Sequence, residues 1–247
     1  MSLSVYIVMP DLSLSKVRAV ELASRETDFG VLVSFSVIKM KPVTLERLAL
    51  LRSLTDVPVM LDSGAYHLAR LGVEVRVEEY AELASRNSRL FDTVVAPDIP
   101  GDCATTLERT RVFAKLYGDQ FVPVTQGRSV RDYVLCSEEL SEYAGEKLGV
   151  GGLDGEKKRA GFVSELVAAL PSGLHIFGAG SRLVASLSRL GLARKIASID
   201  SSGWLAEIRY RRRSVLKAEN VVEANARAIV AYVDRVKRAY SKNALEP

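Results

Sequence analysis

Three aspartates stand at the ends of short apolar runs. Val59-Met60-Leu61 leads into Asp62, Thr93-Val94-Val95-Ala96 into Pro97-Asp98, and the run from Lys195 to Ile199 into Asp200. Each run is too short for a helix and reads as a buried strand that delivers a carboxylate where the chain turns. Further runs of the same kind end in Gln126, Gly151-Gly152 and Gly178-Ala179-Gly180. If these ends meet, two or three carboxylates surround one pocket. Crowded, buried carboxyls can hold one pKa up while another stays ionised, which is the equipment of general acid–base or nucleophilic catalysis. Glycines beside them let a flat ligand approach the backbone closely. Taken singly, each Asp is equally well a helix cap or a turn residue.

The elements that would carry these ends alternate regularly. Strands are expected at Val5–Met9, Val31–Phe35, Pro58–Asp62, Thr93–Ala96, Phe121–Thr125, Lys147–Val150, Leu174–Phe177 and Lys195–Ile199. Between them lie amphipathic helical stretches. Ser13 and Thr44 are expected caps, Val73 to Asn87 and Thr105 to Tyr117 are expected helices, and the helix from about Lys157 to Ala169 follows Asp154-Gly155. A long last helix from about Val215 to Tyr240 carries a near-heptad apolar stripe. Eight strand-then-helix units predict an α/β fold, a single (β/α)8 barrel spanning 1–247, with an open doubly wound sheet as the fallback. Function in such a barrel sits at the C-terminal ends of the strands, where all of these residues fall.

Composition sets the outer limits. The chain has 247 residues, 48% hydrophobic and 26% charged, enough for a large core. No apolar run approaches the roughly 20 residues of a membrane span, and no basic segment precedes the first apolar run, so no membrane and a cytoplasmic setting are expected. Two cysteines and two histidines leave little material for a metal site. No metal and no cofactor are expected. The net charge of +4 permits a polyanionic partner without requiring one.

Asp62-Ser63-Gly64-Ala65-Tyr66 resembles the Asp-Ser-Gly-Gly-Phe signature of the tRNA-guanine transglycosylase family. Thr125-Gln126-Gly127, Gly151-Gly152-Leu153, Phe177-Gly178-Ala179-Gly180 and Ile199-Asp200 resemble further elements of that family in the same order. The resemblance implies a (β/α)8 barrel that exchanges guanine in tRNA or DNA for a free purine or 7-deazapurine base. Asp200 would be the nucleophile that forms a glycosyl-enzyme, and Asp62 the proton shuttle. Asp98, Gln126, Gly151 and Gly152 would read the base, with Ser63, Gly64, Tyr66, Gly178 and Gly180 lining its pocket. Ala65 and His67 depart from the signature, and the family's cysteine-rich zinc site is absent. The Asp-Ser-Ser-Gly-Trp ending is closer to short relatives that modify DNA.

The remaining features keep two readings each. Arg209, Arg211, Arg212 and Arg213 either hold nucleic-acid phosphates or form a solvated surface. Gly178 to Ser181 at a helix start is either a phosphate cradle or close strand–helix packing. His67 is a pocket or a loop residue, while His175, Cys103 and Cys136 read as structural. The stripe of the last helix either completes the barrel or serves a homo-oligomer or a partner subunit. Two rivals to base exchange are a barrel enzyme acting on a small phosphorylated ligand, and a non-catalytic nucleic-acid-binding barrel.

Overall fold

The computed structural model describes residues 3–70, 72–153, 160–208 and 220–241. Eight parallel strands alternate with helices. They are β1 (Ser4–Val8), β2 (Gly30–Ser34), β3 (Val59–Asp62), β4 (Thr93–Val94), β5 (Val124–Thr125), β6 (Leu148–Val150), β7 (Leu174–Ile176) and β8 (Ile196–Ser201). Their order in the sheet is β4-β3-β2-β1-β8-β7-β6-β5. A parallel bridge between Val95 and Val122 joins the two outer strands. Ala96 N–H donates to Val122 O and Val122 N–H to Val94 O, each at 2.9 Å. The sheet therefore closes on itself as a (β/α)8 barrel, which leaves no edge exposed.

Strand alternation sorts the side chains into two cores. Tyr6, Leu32, Met60, Val95, Val122 and Val124 fill the inside of the barrel, with Val8 and Phe177 against them. Their neighbours along the strands, such as Val5, Ile7, Val31, Val33, Val59 and Leu61, point outward into the larger core beneath the helices. The helices are α1 (Leu14–Ser24), α2 (Phe35–Met40), α3 (Val43–Leu54), α4 (Ala65–Arg70), α5 (Val77–Arg86), α6 (Cys103–Tyr117), α7 (Val130–Glu139), α8 (Ala160–Ala169), α9 (Ser181–Arg189) and α10 (Val221–Ser241). Among the described residues, no helix is long and apolar enough to cross a membrane.

Several boundaries differ from the sequence expectation, each for a local reason. The stretch expected as one loop around Lys39 contains α2, whose Phe35, Val37 and Ile38 are buried. A separate short helix, α4, follows Gly64 directly, and the next helix begins at Val77 rather than Val73. Thr44 does not cap α3: Pro42 holds the cap position and Thr44 lies buried inside the first turn. Ser13 occupies the cap position of α1 without a side-chain hydrogen bond to the helix. Ser129, in contrast, forms a reciprocal capping box with Asp132 at the start of α7. Residues 154–159 and 215–219, where the ends of two expected helices fall, lie outside the described residues.

The apolar stripe of α10 is spent inside the chain. Ala226, Ile229, Tyr232, Val233 and Val236 are buried, and the helix packs on α1 and α9. Of the two readings of that stripe, completion of the barrel is the one realised, and the stripe is not available to a second copy. Cys103 and Cys136, expected as structural thiols, are joined in a disulfide that ties α6 to α7.

Candidate active site

Asp62, Asp98 and Asp200 converge at the C-terminal mouth of the barrel. They line one cavity of about 280 Å³ together with Val8, Leu32, Ser34, Gly64, Tyr66, His67, Pro100, Gly151, Gly152, Leu153, Phe177 and Gly178. The strand register explains why. Asp62 pairs with Ser34 across β3 and β2, and Asp200 pairs with Tyr6 across β8 and β1. Asp62 and Asp200 therefore come from the last inward-facing positions of their strands, and Asp98 from the loop that follows β4.

Asp62 is held by a tight turn. Its Oδ2 accepts the Gly64 N–H at 2.9 Å. Gly64 sits at φ 71°, and a Cβ there would press on the Ser36 side chain, so the turn needs glycine twice over. The environment drives the Asp62 carboxyl up to about 7. Burial is the main cause. The negative charge of Asp98 adds to it, the Gly64 N–H opposes it, and the charge of Asp200 adds a smaller push.

Asp98 is fixed from two sides. Gln126 Nε2 donates to its Oδ2, and the Ser63 hydroxyl lies 3.5 Å from its Oδ1. Burial raises this carboxyl to about 6, with the Gln126 amide the largest opposing influence. Gln126 is fully buried, and its Oε1 accepts the Gly101 N–H at 3.0 Å. Behind it, Gly151 N–H donates to Thr125 O at 3.2 Å, and Gly151 O accepts the Tyr133 hydroxyl at 2.7 Å.

Asp200 is anchored through Oδ1, which accepts the Gly178 N–H at 3.0 Å. His175 Nε2 lies 3.3 Å from the same oxygen. Tyr66 is half exposed at the rim. Gly180 lines an adjoining cavity of about 270 Å³ with Leu153, Phe177, Gly178, Arg182 and Leu183. Ser63 and Gln126 stand behind the cavity wall rather than on it. Arg209, Arg211, Arg212 and Arg213 lie outside the described residues. The sequence alone assigned no place in the pocket to Ser34, Leu153 or Phe177. Ser34 had a signal, a polar residue closing an apolar strand, and its register with Asp62 gives that signal meaning.

Among the described residues, no lysine lines this cavity, and no group of three His, Cys, Asp or Glu side chains is placed to hold a metal ion. The cavity's buried proton-transfer groups are carboxyls, two of them raised to about 7 and about 6.

No protein-family model matches the chain, and no curated protein matches it. Solved structures do resemble it. The YdjI aldolase from Escherichia coli K12 superposes with a TM-score of 0.64 at 12% identity, over 98% of this chain and 93% of that one. A protein proposed to be a fructose-1,6-biphosphate aldolase, from Coccidioides immitis, gives 0.63 at 13% identity, over 99% and 93%. The tryptophan synthase alpha chain from Legionella pneumophila gives 0.61 at 11% identity, over 99% and 94%. At such identities the likeness establishes the fold.

These findings correct the reading as a tRNA-guanine transglycosylase-like enzyme, together with its nucleic-acid partner and its free purine or 7-deazapurine base. The proteins this chain resembles over nearly its whole length are named as aldolases and a tryptophan synthase chain, a different class of enzyme. The physical reason lies in where the motifs fall. Asp-Ser-Gly, Gly-Gly-Leu and Gly-Ala-Gly all mark strand ends and tight turns, which every barrel of this kind needs. The proposed base-reading groups also answer to one another. Gln126 is bonded to Asp98 and to the Gly101 N–H, and Gly151 O accepts the Tyr133 hydroxyl, so these groups are engaged within the protein rather than forming an open row of donors and acceptors. The described chain is an eight-stranded parallel α/β barrel of the (β/α)8 fold, with three carboxylates gathered at the C-terminal ends of its strands.

Proposed function

We propose that this barrel is an enzyme that performs general acid–base chemistry on a small phosphorylated ligand, with aldol-type carbon–carbon bond cleavage or formation as its reaction class. The observation that carries this reading is the pair Asp62 and Asp98. Both face one cavity of small-ligand size, and their carboxyls stand at about 7 and about 6. One can carry a proton while the other is ionised at the same pH, which a donor–acceptor pair requires.

In the cleavage direction, the ionised carboxyl takes the proton of a substrate hydroxyl. The oxygen's electrons form a carbonyl, the adjacent carbon–carbon bond breaks, and the protonated carboxyl donates to the carbon that inherits the electron pair. Each proton lost by the substrate is thus matched by one gained. The phosphate would sit toward Gly178, Gly180 and the start of α9, beside Arg182. Unpaired N–H groups at a helix start favour an anion, and barrels of this type commonly bind phosphate near their last two strands. The names carried by the resembling structures are compatible with this class and are no more than that.

The test is a panel of phosphorylated hydroxy-carbonyl compounds, with release of a free carbonyl as the readout. Turnover by the parent, reduced by about 10²–10⁴ in Asp62→Asn or Asp98→Asn, is the expected result. Turnover that survives both substitutions would sink the acid–base assignment. So would a folded protein that neither turns over nor binds any member of the panel.

A further inference from the structure

His175 is fully buried inside the barrel and plays no part in the acid–base pair described above. Its surroundings are specific. The ring is wedged edge-on between Phe177, centroids 4.4 Å apart, and Tyr6, 6.0 Å apart. Its Nδ1 lies 2.8 Å from the Ser198 hydroxyl. Its Nε2 lies 3.3 Å from Asp200 Oδ1 and is the one ring nitrogen without an aligned hydrogen-bond partner. Asp200, one inward position above Ser198 on β8, lines the cavity. Tyr6, His175 and Ser198 are thus inward side chains beside and below Asp200, which itself lines the site.

A neutral imidazole carries one proton, and the hydrogen bond made by one nitrogen decides which nitrogen holds it. A serine hydroxyl can donate to Nδ1 as readily as accept from it. If Ser198 donates, the ring proton must sit on Nε2, facing Asp200. The opposite choice turns a bare nitrogen lone pair toward a carboxylate oxygen in a buried site, which is unfavourable for both.

We propose that His175 is a positioning residue for Asp200. Ser198 donates to Nδ1, Nε2–H faces Asp200 Oδ1 alongside the Gly178 N–H, and the carboxylate is held with its second oxygen, Oδ2, turned to the ligand. This deepens the acid–base reading, on which it rests, by adding Asp200 as an oriented third carboxylate for binding or polarising the substrate. His175 itself touches no substrate.

The test uses the ring nitrogens directly. The chain has two histidines, His67 at the exposed rim and His175 in the barrel, so ¹⁵N-labelled histidine gives two ring systems to assign. At neutral pH the expected His175 spectrum has a protonated Nε2 and a bare Nδ1, while His67 shows averaged tautomers. Asp200→Asn should move the His175 Nε2 resonance and leave Nδ1 in place. Ser198→Ala should move Nδ1. The backbone amide spectrum reports folding for each variant, and Asp200→Glu serves if Asp200→Asn does not fold. A proton on Nδ1, or an Nε2 resonance indifferent to Asp200, would overturn the proposal and leave His175 as packing only. The measurement needs no substrate. A failed substrate search therefore leaves it standing, and a wrong ring spectrum leaves the roles of Asp62 and Asp98 untouched.

Discussion

At the scale of single residues, the site trades stability for proton affinity. Burial and the neighbouring carboxylates raise Asp62 from the ordinary 3.8 to about 7. A carboxyl raised on folding binds more protons in the folded than in the unfolded chain between those two values. Its contribution is therefore neutral in acid and becomes increasingly unfavourable as pH rises through about 7. Asp62→Asn should accordingly stabilise the protein relative to the parent at pH 8, by an amount on the order of a few kcal/mol, with the advantage vanishing toward pH 4. Urea midpoints across that range would measure it, and a pH-independent difference would refute it. Activity should follow a bell, rising as one carboxyl of the pair ionises near 6 and falling as the last proton leaves near 7. These limbs belong to the pair rather than to either residue. Gly152 sits at φ 65°, and a Cβ added there would fall on Gln126 Oε1. Gly152→Ala should cost about 1–3 kcal/mol, and should also displace the lower limb of the pH profile, because Gln126 can yield only by releasing Asp98.

At the scale of elements, a helix side chain stitches neighbouring strands together below the mouth of the barrel. The Tyr80 hydroxyl on α5 lies 2.7 Å from Val95 O and 3.3 Å from Leu61 O, spanning β3 and the end of β4. Tyr80 is fully buried, so Tyr80→Phe leaves a carbonyl without its donor where water cannot replace it. A loss of about 1–3 kcal/mol is expected, read as a lower urea midpoint at unchanged m-value. Because Asp62 and Asp98 follow these two strands, ligand affinity should weaken along with stability. Ser129→Ala, which removes the capping box of α7, should cost about 1 kcal/mol and leave affinity unchanged.

At the scale of the whole molecule, the barrel is closed twice, by the Val95–Val122 bridge and by the Cys103–Cys136 disulfide on the outside. The disulfide spans 33 residues of sequence and links the helices that follow the Asp98 and Gln126 loops. Reduction, or Cys103→Ser, should lower stability by about 3 kcal/mol through the loop entropy restored to the unfolded chain. A thermal unfolding transition identical with and without reductant would show the bond to be energetically idle.

The sequence by itself determined the alternation of eight short strands with amphipathic helices, and so a parallel α/β fold with the (β/α)8 barrel as the first expectation, because strand and helix periodicities are local and are written in consecutive residues; closure of the sheet shows only in the Val95–Val122 bridge. It also determined that Asp62, Asp98 and Asp200 end their strands and share one face. Only the tertiary structure decided what those ends mean. The raised carboxyls of Asp62 and Asp98 depend on burial, and that of Asp62 also on its distance from Asp98, and neither quantity is carried by residue type. The same holds for the Asp98–Gln126 pairing across 28 positions and the His175–Ser198 pairing across 23. Glycine and aspartate at strand ends carried the family resemblance because turns demand them in any barrel. The order of those residues therefore spoke for the architecture, while the chemistry depended on contacts between strands that no local pattern encodes.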